Sequence, residues 1–129
     1  MSISASQVKE LREMSGVGMM ECKKALVETD GDLEKALDLL RANSSLKAEK
    51  KASRVAADGE VKAASHADHT SLVEINSETD FAAKDEQFKD FTNSVAEYLA
   101  NNNAQSIEEL GEAFEEKRQS LIQSIGENI

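Results

Sequence analysis

Proline and tryptophan are absent from this chain, cysteine occurs once, and aromatic residues make up only 4% of it. Without proline, and with only six glycines, few positions force a break in a helical pattern, so helix should dominate. The shortage of aromatics predicts a mostly aliphatic core. The lone thiol, Cys22, excludes an internal disulfide and a cysteine metal cluster, in keeping with a reducing compartment. No apolar run approaches the roughly 18 residues of a membrane span, and Met1 to Lys9 lacks the basic-then-apolar pattern of a signal peptide, so the expected setting is the cytoplasm, without a membrane partner. Positive charge is also short: 15 Lys and Arg against 25 Asp and Glu leave a formal net charge of −10. Such a field repels nucleic acid and anionic lipid, which makes another protein the expected partner.

Recognisable chemistry is missing too. Neither a Gly-x-x-x-x-Gly-Lys-Ser/Thr loop nor a Gly-x-Gly-x-x-Gly run occurs, so no nucleotide or other cofactor site is expected. His66 and His69, with Asp68 between them, could hold a metal only weakly from a turn, and a solvated turn is the simpler reading. Cys22 lies on an apolar helical face and reads as a small buried hydrophobe rather than a nucleophile. No metal site, no catalytic residue and no enzyme activity are expected.

What is present is 129 residues, 40% hydrophobic and 31% charged, enough for one domain or two small ones burying roughly two thirds of the unfolded surface. The first third predicts three short helices. Ser4 and Gln7 have capping-box spacing ahead of Val8 and Leu11, with Met14 a step beyond. Ser15-Gly16-Val17-Gly18 forms a turn. A helix from about Met19 to Glu28 places Met19, Cys22 and Leu26 on one face and leaves Met20 off it. Gly31 suits a left-handed C-terminal position and Asp32 can cap the next helix, whose stripe is Leu33, Ala36, Leu37 and Leu40. Asn43 to Arg54 turns polar; if helical, Lys47, Lys50, Lys51 and Arg54 form one basic stripe. It reads as a connector with a solvated face, with docking of an acidic partner or, more weakly, nucleic acid as alternatives.

After Asp58-Gly59 the period becomes that of strands, in Glu60 to Ala63 and in Leu72 to Ile75, with the polar stretch Ser65 to Thr70 as the turn of a hairpin. A lone hairpin needs a helix on one face. Phe88, Phe91, Val95, Tyr98 and Leu99 mark one such helix, ended by Asn101-Asn102-Asn103. Ser106 with Glu109 caps a second, carrying Ile107, Leu110, Phe114, Leu121 and Ile125; its Glu115, Glu116, Lys117 and Arg118 form a solvated face. The fold class is α+β: a three-helix module with its basic connector over 1–54, then 55–129 with a hairpin at 59–76 and helices at about 80–101 and 106–126.

Thr79-Asp80-Phe81-Ala82-Ala83-Lys84-Asp85 lies between the second strand and the helix after it. An Asp-Phe pair there is positioned to project, yet Phe81 is seven residues before Phe88 and shares its buried face if the helix starts early. Periodicity alone favours the core. The segment resembles the signature of bacterial elongation factor Ts, the exchange factor for elongation factor Tu, and so do Val8 to Arg12, Gly16 to Leu26, Gly31 to Ala36, Val55 to Gly59 and Ile125 to Ile129. Ala82 stands where that family commonly has Val.

The resemblance implies a ubiquitin-associated-like helical module followed by the start of an α/β core, and a partner in elongation factor Tu, GDP-bound or nucleotide-free. Phe81 would wedge beside that partner's Mg²⁺ site, Asp80 would disturb the hydrogen bonds ordering the ion's ligands, and Thr79 and Ala82 would hold the tip in shape. Arg12, Met19, Met20 and Lys23 would form a second anchor. Family members usually run well past the Ile-Gly-Glu-Asn-Ile stretch, so the chain is expected to be an N-terminal portion, which leaves binding without exchange as one alternative. A ubiquitin-associated-like module for another client is a second, and a small enzyme using His66 or Cys22 a third.

Overall fold

Ser4 starts the chain's first helix as its spacing predicts: its hydroxyl accepts from Gln7 N–H, and the Gln7 side chain accepts from Ser4 N–H at 2.9 Å. The computed structural model describes residues 2–102 and 106–129. Its elements are α1 (Ala5–Ser15), α2 (Met19–Glu28), α3 (Leu33–Lys51), β1 (Asp58–His66), β2 (His69–Ser77), α4 (Asp80–Ala83), α5 (Glu86–Asn102) and α6 (Ile107–Ile125), an α+β arrangement.

Val8, Leu11, Val17, Cys22, Ala25, Leu26, Ala36 and Leu40 form the core of the helical unit. Each fully buried Val or Leu side chain there stabilises by roughly 1.5–3 kcal/mol. Cys22 is wholly buried and its thiol donates to Val17 O, as expected of a small hydrophobe. Two apolar residues placed on this core's stripe are exposed instead. Met14 lies in the last turn of α1. Met19 is the first residue of α2, where helical side chains lean toward the N-terminus and so past the end of the helix.

α3 extends beyond the third short helix expected from the sequence. It continues through Lys51, so the stretch read as a connector is mostly helical, and only one of its faces is solvated. Ser44 and Ala48, one turn apart, are buried and α3 packs on α6. Small residues let the two backbones approach. Ser44 Oγ bonds Gln123 Oε1 there, and Ser124 Oγ donates to Gly16 O at 2.7 Å, fastening the turn after α1 to the same helix.

The strands pair antiparallel from Asp58 opposite Ser77 to His66 opposite His69. The turn is therefore two residues, Ala67-Asp68, rather than the six-residue polar stretch expected, because Ser65 and Thr70 join their hydroxyls across the ladder at 2.9 Å. Val73 and Ile75 pack with Phe91, Val95, Tyr98, Leu99, Leu110 and Phe114 in the second core. Here three of the few aromatics gather within a core that is otherwise aliphatic, as expected: Phe114 meets Phe91 and Tyr98 edge-to-face at 6.0 and 5.3 Å. Ile107, expected on the buried stripe of α6, is 77% exposed at its first turn. Ser106 Oγ accepts from Glu109 N–H at the start of α6. α5 runs through Asn102, and Asn103 of the expected stop lies outside the described residues. No helix among them is long and apolar enough to cross a membrane, and no group of three or more His, Cys, Asp or Glu could hold a metal ion.

Gly59 enters β1 with φ +135°, where a Cβ would collide with the Ile75 carbonyl oxygen. Gly59→Ala should therefore lower the unfolding free energy by roughly 1–3 kcal/mol from backbone strain alone. Urea unfolding followed by circular dichroism measures it, and an unchanged midpoint would contradict the strained hairpin entry.

Candidate partner-binding site

The helix expected over about 80–101 is broken, and the break decides where Phe81 goes. Thr79, extended at φ −128° and ψ 159°, caps the single turn of α4 by accepting from Ala82 N–H. Asp85 then starts a new helix, its carboxylate accepting from Gln87 N–H at 2.8 Å and its carbonyl from Lys89 N–H. With the chain re-aimed between two caps, Phe81 and Phe88 no longer share a face. Phe88 is fully buried and Phe81 is 80% exposed, so the core placement favoured by periodicity is corrected.

Of the four tip residues, two face outward and two inward. Asp80 is exposed and ion-paired one turn on to Lys84 at 3.3 Å, a contact worth about 0–1 kcal/mol at a surface. Ala82 is buried and Thr79 half-buried. Beneath them lies a polar clamp the sequence reading did not anticipate. Gly126, at φ +85°, ends α6 and turns the chain toward the tip. Glu127 then accepts from Thr79 twice, from N–H at 2.9 Å and from the hydroxyl at 2.6 Å. Asn128 N–H donates to Glu78 Oε1 at 2.8 Å, while its side-chain amide donates to Arg54 O at 2.8 Å. Arg54 completes the ring with a 3.3 Å ion pair to Glu78. Arg54, from the basic stripe, thus serves a structural contact. The block Ile125 to Ile129 was visible in the sequence, but nothing local in it told that it would close on residues some fifty positions earlier.

Arg12, Met19, Met20 and Lys23 are all exposed on α1 and α2. Met20 is 70% exposed, and Val27, seven residues on along the same helix face and not singled out from sequence, is exposed as well. An exposed strip of methionine and valine beside cations has the composition of a contact surface. A groove of about 600 Å³ between the α1–α2 turn, α3, α5 and α6 includes none of the tip residues. The candidate site is a protrusion rather than a cavity, suited to entering another molecule. His69 sits 3.6 Å from Asp68 at the hairpin turn, apart from both surfaces in sequence.

The Asn128 N–H above all, and then the charges of Arg54 and Lys51, hold the Glu78 carboxyl below its ordinary value of 4.5. A carboxyl whose pKa is lower in the folded than in the unfolded chain stabilises the fold when ionised; this contribution is present above the unfolded-state value and is lost as pH falls through the folded-state one. Glu78→Gln should therefore lose less stability than the parent chain between about pH 5 and pH 3, checked by urea unfolding at each pH. Parallel curves for the two proteins would contradict the assignment.

Sequence comparison adds the relatives of this arrangement. A family model described as elongation factor TS matches residues 78–129, the stretch from Glu78 through the tip to the clamp. The chain is 54% identical over 127 residues to elongation factor Ts of Haemophilus ducreyi, covering 98% of this chain and 45% of that protein. It is 53% identical over 131 residues to that of Hahella chejuensis, with 99% and 46% covered, and 50% identical over 137 residues to that of Thioalkalivibrio sulfidiphilus, with 100% and 47% covered. The chain thus spans about half the length of the curated relatives it matches. Over nearly its whole length, then, the chain is similar to the matching portion of bacterial elongation factor Ts.

Proposed function

We propose that this chain binds elongation factor Tu and promotes release of its GDP, acting by contact and carrying out no chemistry of its own. The observation that carries the reading is the Phe81 ring, 80% exposed on a one-turn helix whose base is capped and clamped. Exposure of so large an apolar side chain costs solvation unless a partner covers it. The held Mg²⁺ of a GTP-binding protein tolerates little distortion, because its near-octahedral shell of waters and protein oxygens fixes the phosphates through short, directional bonds. Phe81 would enter beside that ion's site. Asp80, whose surface pair with Lys84 is weak enough to exchange, would compete for the hydrogen bonds that order the ion's ligands. Thr79 and Ala82, turned inward, would keep the tip in shape.

Met19, Met20, Arg12 and Lys23 would supply a second anchor, with the flexible methionines filling an irregular apolar surface and the cations setting orientation. Two contacts on separate elements let binding energy from the helical module support distortion at the tip. The proposed setting is the cytoplasm, where that partner works. One other reading stays specific enough to test: the chain binds elongation factor Tu without expelling nucleotide.

Truncation of a central aromatic anchor costs about 2 kcal/mol or more, so Phe81→Ala should weaken binding to elongation factor Tu by about thirtyfold or more and slow GDP release, with the thermal midpoint unchanged. Fluorescent GDP bound to the partner gives the release rate, and calorimetry the affinity. By linkage, GDP must weaken binding of this chain by the same factor by which the chain weakens GDP. Tight binding with an unaltered release rate would favour the non-exchanging alternative, and retained activity in Phe81→Ala would defeat the wedge.

A further inference from the structure

We infer that Glu127 is a positioning residue for the Asp80–Phe81 tip, acting through Thr79; this rests on the reading of that tip as a partner-binding element. α4 is one turn long, and an isolated turn fixes several dihedrals for almost no hydrogen-bond return, so it has no stability of its own. Its only fully buried side chain is Ala82, too small to fix an orientation by packing. Something else must aim it.

Thr79 is bonded through every polar group it has. Its N–H donates to Glu127 Oε1 and its hydroxyl to Oε2, its carbonyl accepts from Ser77 Oγ at 2.8 Å, and Ala82 N–H donates to its hydroxyl oxygen at 3.3 Å. A hydroxyl has one proton. Because that proton goes to the carboxylate, a lone pair is left facing the first turn of α4, so the direction of the whole relay is set by Glu127. Both carboxylate oxygens are used on one residue, a two-point contact that fixes rotation as well as distance. Glu127 is itself held: Gly126 ends α6 immediately before it, and Asn128 immediately after it is tied to Glu78 and to Arg54 O. The tip is thereby referenced to the C-terminal ends of α3 and α6, although residues 79 and 127 are far apart in sequence.

The test uses the 129-residue chain. Glu127→Gln preserves shape but removes the charge and one of the two acceptors, so the Thr79 N–H and hydroxyl can no longer both donate to it. It should speed hydrogen exchange at the Thr79 amide by about tenfold and weaken binding to GDP-loaded elongation factor Tu by about tenfold, the scale of one charge-assisted hydrogen bond. Thr79→Val removes the hydroxyl from the other side, so in a double-mutant cycle the two losses should be far from additive. Glu127→Asp, with the charge kept but one methylene shorter, should lie between the parent and Glu127→Gln in both readouts, and supplies the comparison if Glu127→Gln unfolds. Unchanged Thr79 exchange in a folded Glu127→Gln, or additive losses, would overturn the positioning role. The exchange measurement needs no partner: faster exchange together with full binding by Phe81→Ala would leave the clamp standing and remove the tip's role in binding instead.

Discussion

A single carboxylate, that of Glu127, receives both the N–H and the hydroxyl of Thr79, and the exposed end of the molecule depends on that contact. An aromatic ring held out in water cannot be positioned by its own burial. The fold instead fixes the residue two positions before the ring, through charge-assisted bonds that are shorter and stronger than neutral ones. The neighbouring Asn128–Glu78–Arg54 ring stiffens the same base. Rigidity prepared before binding lowers the ordering cost at the moment of binding, and a wedge in particular is ineffective if it can fold back.

The rest of the architecture supplies two cores with different packing and joins them by small and polar groups. The helical unit is aliphatic around Leu11, Leu26 and Leu40; the second core centres on Phe114 with its two edge-to-face partners. Between them, α3 lays Ser44 and Ala48 against α6, and Ser124 reaches the α1–α2 turn. Because α3 continues past its own core, the helical surface bearing Met20 and the tip bearing Phe81 are carried on one connected frame: Arg54, just after α3, bonds both Glu78 and Asn128.

How much of this the sequence discloses follows from the range of the forces involved. Caps and stripes are local, and Ser4 with Gln7, Asp32 and the Val8–Leu11 and Ala36–Leu40 spacings all appear in the structure where the pattern puts them. Helix ends mislead, as Met19 and Ile107 show: periodicity treats a first-turn residue like any other, although no preceding turn covers it. Phe81 fails in a more instructive way. Its seven-residue spacing to Phe88 is a helical signal, and it is overridden by two caps, Thr79 and Asp85, six residues apart, which make two helices of one. The clamp was illegible for a different reason. Glu127 meets Thr79 across 48 positions, and no local rule anticipates a pairing of that range.

The chain's charge bears on the proposed mode of action. At −10 overall, a long-range field would repel any acidic partner, so attraction must come from short-range features, screened beyond about 8–10 Å at physiological salt. The two surfaces meet that need differently. Around Met20 the apolar strip carries Arg12 and Lys23, which offset the field locally. At the tip, Asp80 adds a negative charge to an acidic molecule, tempered only by Lys84. An anion placed there gains nothing in a neutral pocket, but beside a bound cation it competes for the ion's ligands and their hydrogen bonds. On the proposed mode of action, the sign of the charge at the tip fits a metal-centred target better than a general docking surface, and it couples the acidic residue to the ring beside it: Phe81 would supply the apolar contact that brings Asp80 close enough to act.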